Sequence, residues 1–416
     1  MKPVTAELFL DRFLSYVKVD TQSSETSDTY PSTFKQLELC KQLLLELKEM
    51  GLQDAELTEH GYVFATLPAT VTHKVPTIGF IAHVDTSPEV SGRNVNPQII
   101  KNYGGGDIVL KNDPSQVIDV AMNPTLKNCI GHDIITTDGT PLLGADNKAG
   151  VAEIMGALRY MIDNPQLEHG RIRIAFTVDE EVGTGTKHFD VKKFDAEYAY
   201  TIDGETAGEI EDETFCADTA LITIKGVNVH PGYAKGRLVS ALKIGAYLID
   251  QLPKDSMSPE TTEKREGYLH PHIFQGAVET TLLTLLVRDF DESGLQAKED
   301  YLRDLCENVE KKFPKSAVTL EIKKSYRNMK IILDKHPEVV AYAMEAVKRS
   351  GLEPVKNLIR GGTDGARLSF MGVPTPNVFP GGHNFHSKRE WISVQNMVKA
   401  VETIVNLSQI WAEKSR

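Results

Sequence analysis

At 416 residues the chain is longer than one hydrophobic core usually sustains, so two domains are expected. With 25% charged and 41% hydrophobic residues it has the make-up of a soluble globular protein, and a formal net charge of −12 argues against nucleic acid or an anionic membrane surface as its main partner. Its four cysteines, Cys40, Cys129, Cys216 and Cys306, are far apart with no Cys-x-x-Cys. That spacing points to neither a disulfide framework nor a thiolate zinc site and fits a reducing, cytoplasmic compartment. Charged residues interrupt the apolar ones at the start of the chain, leaving no signal-peptide core, and no apolar run is long enough to span a bilayer.

In chain order, Thr5 is placed to cap a first helix, and residues 20–31 read as a polar surface loop. Ser32 then opens a second helix that Gly51 ends. Residues 62–67 and 76–84 read as strands, the second so continuously apolar that it should be covered on both faces. Residues 86–138 form a long Gly-, Asn- and Pro-rich excursion with short strands such as 107–110. The segment Leu-Leu-Gly-Ala-Asp-Asn-Lys-Ala-Gly at 142–150 puts Asp146 at the mouth of a mostly apolar helix, with Asn147 able to cap it. Strand 171–178 ends in Asp179-Glu180-Glu181, and strand 198–202 ends at Asp203. Open α/β sheets bind ligands at the C-terminal ends of their strands, which is where these groups fall.

From about residue 217 to 324 the order becomes strand, helix, strand, strand, helix, strand, the pattern of a ferredoxin-like α+β sandwich. The remainder returns to alternating helix and strand, with Arg-Gly-Gly-Thr-Asp-Gly-Ala at 360–366 and an amphipathic helix at 394–411. The expected architecture is therefore an α/β domain with a mixed sheet flanked by helices, formed by residues 1–212 and 326–416 and interrupted by an α+β domain at 213–325.

Separately, each polar group in these motifs has an ordinary reading: His83 as a core histidine, Asp146 and Asp203 as turn residues, Asp179-Glu180-Glu181 as a solvated charge run, His386 as a loop histidine. Together they share one explanation. Alternation puts His83 and Asp85 on the same side of a strand end, where a carboxylate can hold the second nitrogen of an imidazole ligand. Three adjacent carboxylates repel one another unless a cation relieves them. Oxygen and nitrogen ligands without thiolate suit zinc or a similar ion, and five such groups suffice for two metals if one carboxylate bridges, although spacing does not say which ligand goes to which metal.

The ordered motifs Ala-His-Val-Asp (82–85), Leu-Gly-Ala-Asp-Asn-Lys-Ala-Gly (143–150), Thr-Val-Asp-Glu-Glu-Val-Gly (177–183), Thr-Ile-Asp-Gly-Glu (201–205), Val-His-Pro-Gly (229–232), Arg-Gly-Gly-Thr-Asp-Gly (360–365) and Asn-Phe-His (384–386) resemble those of the dinuclear zinc aminopeptidases and carboxypeptidases over almost the whole chain. The resemblance implies a zinc-peptidase-like fold whose inserted domain acts as a lid for substrate binding or dimerisation. It implies two zinc ions per subunit, one bound by His83 and Asp203, the other by Glu181 and His386, with Asp146 bridging. Asp85 would orient His83 and Glu180 would be the general base. His230, Arg288 and Arg360 would hold the substrate carboxylate or the developing oxyanion; for Arg288 an ion pair with Asp289 or Asp291 is the competing reading. Two residues depart from the family pattern, Asn147 where Asp is usual and Ser387 where Gly is usual. The implied activity is removal of the N-terminal residue from tripeptides by a cytoplasmic enzyme, and the exposed sheet edge of the inserted domain leaves room for a homodimer. The alternatives are a dipeptidase or amino-acid deacylase of the same family and a metal-dependent peptide-binding protein without turnover.

Overall fold

Ile78–His83 is buried at every position, as its unbroken apolar character requires of a strand covered on both faces. In the computed structural model, which describes residues 3–416, it lies in an eight-stranded mixed sheet. The spatial order is Glu56–Leu57, Val63–Leu67, Ile172–Thr177, Ile78–His83, Tyr198–Ile202, Asn377–Val378, Glu209–Thr214 and Val355–Ile359. Ile78–His83 runs parallel to both of its neighbours, so the ends of Ile172–Thr177, Ile78–His83 and Tyr198–Ile202 come out on one edge. The helix Ala145–Asp163 packs on Ile78–His83 and against the C-terminal helix Val394–Lys414. This is the mixed sheet flanked by helices expected of the chain.

The chain divides into two units, one made of the residues through Asp212 with Ile332–Asn357 and Thr363–Arg416, the other of Glu213–Ile331 with Leu358–Gly362. The second unit has its own core, including Ile222, Ile244, Leu248, Leu285 and Leu302. Its antiparallel sheet has the order Tyr268–Gly276, Thr280–Asp289, Cys216–Lys225, Ala317–Lys324, with helices Ala241–Asp250 and Glu292–Lys312 on the connections, which is the ferredoxin-like topology. Ser240 caps the first of these helices through Lys243 N–H.

Three local expectations fail for physical reasons. The second helix starts at Gln36, because Ser32 gives its hydroxyl to Asp179 (2.5 Å) instead of capping. Thr5 caps nothing with its side chain, and the first turn is a 3-10 helix at Ala6–Leu8 before Leu10–Tyr16. Asn147 is no cap either; Gly144 occupies that position and the Asn147 amide is buried. Within 86–138 the short strands are Gln98–Ile100, Ile108–Val109, Val117–Ile118 and Ile134–Thr136, and two of them join Trp391–Ser393 and Gly382–His383 in a second small sheet. The four cysteines are buried and free. Among the described residues no helix is long and apolar enough to cross a membrane.

Candidate active site

The sheet edge delivers His83 at the end of its strand, directly across from Thr177 in register, and Asp203 just beyond Ile202. Asp146 enters from the first turn of Ala145–Asp163, where its own backbone is not yet helical (φ −83°, ψ 105°). Gly150 explains how that helix comes so close. A Cβ there would lie 2.1 Å from the Ile202 carbonyl, so only glycine lets the helix approach the strand that carries Asp203. His386 arrives on the loop between Gly382–His383 and Trp391–Ser393.

These side chains converge. His83 Nε2 is 3.1 Å from Asp146 Oδ1 and 3.3 Å from Asp203 Oδ1, while His386 Nε2 is 3.2 Å from Asp146 Oδ2 and 2.8 Å from Glu181 Oε2. Each oxygen of Asp146 thus faces a different histidine. Glu180 adjoins the first group: ligand atoms of His83, Glu180 and Asp203 lie within 4.8 Å of one another, as do those of His83, Asp146 and Glu181. Asp85 stands behind His83, with Oδ1 3.3 Å from Nδ1 and the Asp85 carbonyl 3.1 Å away. Its carboxylate also accepts the main-chain N–H groups of Glu180 (3.1 Å) and Glu181 (3.2 Å), so one buried side chain orients the imidazole and fixes the acidic turn.

The run of three carboxylates is in fact a pair. Asp179, at φ +58°, turns away and accepts from Ser32 N–H (2.6 Å), Ser32 Oγ (2.5 Å) and Gln36 Nε2 (2.7 Å). Of the two histidines in this segment, His383 ends its short strand and stacks on Trp391 with ring centroids 4.3 Å apart, leaving His386 to the cluster. Ser387, where Gly is usual, closes the His386 loop by donating to the Asn384 carbonyl (2.7 Å) and accepting from Arg389 N–H (3.1 Å).

Asp364 was not singled out from the sequence, although it lies in the quoted Arg-Gly-Gly-Thr-Asp-Gly motif. It is buried, accepts from Thr177 Oγ1 (3.1 Å), and packs so tightly on Gly185 that a Cβ there would be 2.5 Å from both carboxylate oxygens. A helix start is not a strand end, so the strand-end rule passed over it. Tyr62 holds the same loop by donating to the Gly185 carbonyl (2.8 Å).

The three basic or imidazole groups proposed for substrate all belong to the second unit. His230 sits in a tight turn and accepts Gly232 N–H at Nδ1 (3.1 Å). Arg288 donates to the carbonyls of Asp218 and Val287 (2.9 Å each) and faces the Tyr326 ring, while Asp289 pairs with Lys298 and Asp291 with Arg265. Arg360 is more committed: it donates to the Lys264 and Glu266 carbonyls (2.7 and 2.8 Å) and to Thr262 Oγ1 (2.9 Å), and lies over the rings of Phe215 and Tyr268.

The electrostatics fit a site made for cations. Burial and the neighbouring Asp146 push Glu181 up to about 8, and burial with Asp203 nearby holds Glu180 well above the usual carboxylate range. Burial works against charge on His386, yet hydrogen bonds to Asp146 and Glu181 drive it up to about 11. Burial opposes charge on Asp146 as well, but the two imidazoles hold its carboxylate below the ordinary value. Glu181 Oε1 is buried with no hydrogen-bond partner. A donor set of two imidazoles and hard oxygens with one carboxylate oxygen unpartnered suits zinc or a similar divalent ion.

A pH dependence follows. Burial favours the protonated form of Glu181, and the carboxylates facing His386 favour its charged form, so a cation must displace protons to use these atoms. Apparent affinity for a divalent ion such as zinc should therefore rise with pH by about tenfold per unit for each proton displaced, with the Glu181 contribution levelling off above about pH 8. Competition titrations against a chelator measure this, and an affinity that is flat from pH 6 to 8 would remove both groups from the ligand set.

The pattern of peptidase family M20/M25/M40 matches residues 144–409. The chain belongs to this family. It is 50% identical over 405 residues to the peptidase T of Caldanaerobacter subterraneus subsp. tengcongensis, covering 97% of this chain and 99% of the relative. Among solved structures, a tripeptidase from Staphylococcus aureus superposes with a TM-score of 0.77 at 22% identity, covering 99% of this chain and 100% of the other. A dinuclear metal-binding peptidase of family M20 from Bacillus subtilis superposes with a TM-score of 0.64 at 14% identity, covering 98% and 99%. As an M20 peptidase the chain is a hydrolase of the metallopeptidase class, and Asp146, Glu180, Glu181, Asp203 and His386 of the cluster lie within the matched residues.

Proposed function

We propose that this M20 peptidase is a zinc-dependent aminopeptidase that removes the N-terminal residue of tripeptides in the cytoplasm. The observation that carries the reading is the division of the two Asp146 oxygens between His83 and His386 (3.1 and 3.2 Å), with Glu180 beside them. In this reading His83 and Asp203 would hold one ion and Glu181 and His386 the other, with Asp146 shared between them. Two ions so held would supply an activated water and polarise the scissile carbonyl. Asp85 keeps His83 in the tautomer that presents Nε2. Glu180 takes the proton of the attacking water at its carboxylate and returns it to the leaving amine nitrogen. Glu180 also speaks against a binding protein without turnover, and Asp203, where carboxypeptidase-like members tend to carry Glu, speaks against the dipeptidase or deacylase reading. The second unit is assigned the lid role, with His230 for the developing oxyanion and an arginine for the substrate's terminal carboxylate, and its sheet offers the surface for a homodimer. Arg288 is the better arginine, since Arg360 already spends its donors on 262–266.

Substrate length tests this. A charge-assisted hydrogen bond to a carboxylate contributes roughly 1.5 to 3 kcal/mol, or roughly 10- to 150-fold in kcat/KM. Tripeptides should outrun di- and tetrapeptides by that order, and amidating the tripeptide C-terminus or replacing Arg288 by Ala should each erase the advantage without compounding. If the amidated tripeptide is cleaved as fast as the acid, the carboxylate is not what sets the length.

A further inference from the structure

The turn that carries Asp146 has no cap of its own. Gly144 stands at the N-cap position in the left-handed region (φ +83°) with no side chain to offer, and Asp146 and Asn147 shortly after it are not helical. Four N–H groups at a helix start need acceptors from somewhere. Here they come from Glu390, which is 244 residues further along than Asp146. Its Oε2 accepts Leu143 N–H (2.8 Å) and Gly144 N–H (2.7 Å), and its Oε1 accepts Asp146 N–H (2.9 Å). The side chain is only 1% exposed, so these bonds are what offsets the loss of hydration of a carboxylate, and the positive end of the Ala145–Asp163 helix adds to them.

The other end of the residue is equally fixed. Glu390 N–H donates to the Ser387 carbonyl (3.3 Å), closing the loop that holds His386, and Trp391 pairs with Thr136 in the small sheet. Both segments joined by Glu390 carry a group of the cluster, and those groups, His386 and Asp146, meet 3.2 Å apart. We infer that Glu390 is a positioning residue that locks the Asp146 turn to the His386 loop and thereby sets the spacing of the metal ligands. This rests on the reading of Asp146 and His386 as ligands. The inference adds a residue that touches neither metal nor substrate but whose loss should act on both ions through Asp146.

The test compares Glu390→Gln and Glu390→Asp with wild type and with Glu153→Gln, a control that alters a buried carboxyl within the Ala145–Asp163 helix, one without a hydrogen-bond partner. Gln turns an amide N–H₂ toward main-chain donors; Asp keeps the charge but is too short to reach all three. Zinc affinity by chelator competition, kcat and KM separately, and urea unfolding of the metal-free proteins are read. Zinc binding in Glu390→Gln should weaken about 10- to 100-fold, the span seen when groups behind metal ligands are lost. Turnover at limiting zinc should fall in step, KM should stay within about twofold, and excess zinc should restore most of the rate. Glu390→Asp should lie between Gln and wild type, and decides the matter if the Gln variant does not fold. Glu153→Gln should match wild type in zinc affinity. Folded variants with wild-type zinc affinity and kcat, or a zinc loss equal to that of the Glu153 control, overturn the inference alone. A wild-type protein that binds no divalent ion overturns the metal reading and this inference with it.

Discussion

Replacing Glu180 by Gln is expected to slow peptide hydrolysis about 100-fold or more while metal content stays at the wild-type level, the span of a general acid–base group. Burial and the Asp203 charge raise its proton affinity, so once ionised it takes a proton from water more readily than a free carboxylate does and can carry it to the leaving amine. The substitution should leave the backbone undisturbed, because the turn is held through the Glu180 and Glu181 N–H groups on Asp85, not through the Glu180 side chain. There is a rival role. Glu180 lies as close to His83 and Asp203 as a ligand would. Glu180→Gln with bound metal and slow turnover identifies a base; Glu180→Gln with metal lost identifies a ligand, and wild-type turnover removes the residue from the mechanism. Glu181→Gln is the counterpart, and should lose metal first, because its Oε2 meets His386 and its Oε1 has no other partner.

What could be read from the sequence depended on whether a residue's role is local. Strand Tyr198–Ile202 and the ferredoxin-like order of the second unit follow from hydrophobic periodicity and turn residues, which act within a few positions. Strand Glu209–Thr214 was invisible to the same rule. Its sequence Glu-Ile-Glu-Asp-Glu-Thr is poor strand material, and it is buried because three of its four carboxylates find distant partners: Glu211 with Asn377, Asp212 with Lys356, Glu213 with Arg265. The cluster shows the same division. His83, Asp146, Glu181 and Asp203 sit at element ends where the pattern changes, so each stood out. Asp179 did not separate from Glu180 and Glu181 until its φ and its partners Ser32 and Gln36 were in view. Glu390 had no signal at all, since an acidic residue after Ser-Lys-Arg reads as surface charge, and only the fold shows three amide groups waiting for it.

Asp146→Ala is expected to reduce hydrolysis by roughly a thousandfold or more and to leave little bound metal, matching chelator-treated wild type. The size follows from what is lost: polarisation of a carbonyl by a bound ion is worth several kcal/mol, and each ~1.36 kcal/mol of barrier is a factor of ten. Both histidines lose a partner in this variant, one from each oxygen of the missing carboxylate. The turn itself should survive, because Glu390 is bonded to the Asp146 main-chain N–H and not to its side chain. A second readout needs no activity. In the metal-free wild type, the hydrogen bonds to Asp146 and Glu181 outweigh burial and hold His386 protonated to about pH 11; without Asp146 burial gains, so its titration should move down toward the ordinary imidazole range, visible in the imidazole nitrogen shifts by NMR. Since metal competes with that proton, the two readouts have opposite meanings for affinity: a lower His386 pKa alone would favour metal binding, so a fall in metal content despite it can come only from the lost carboxylate. Retention of both ions and of turnover in Asp146→Ala would mean that the two oxygens of this residue do not join the sites, and the dinuclear reading of the cluster would have to be abandoned.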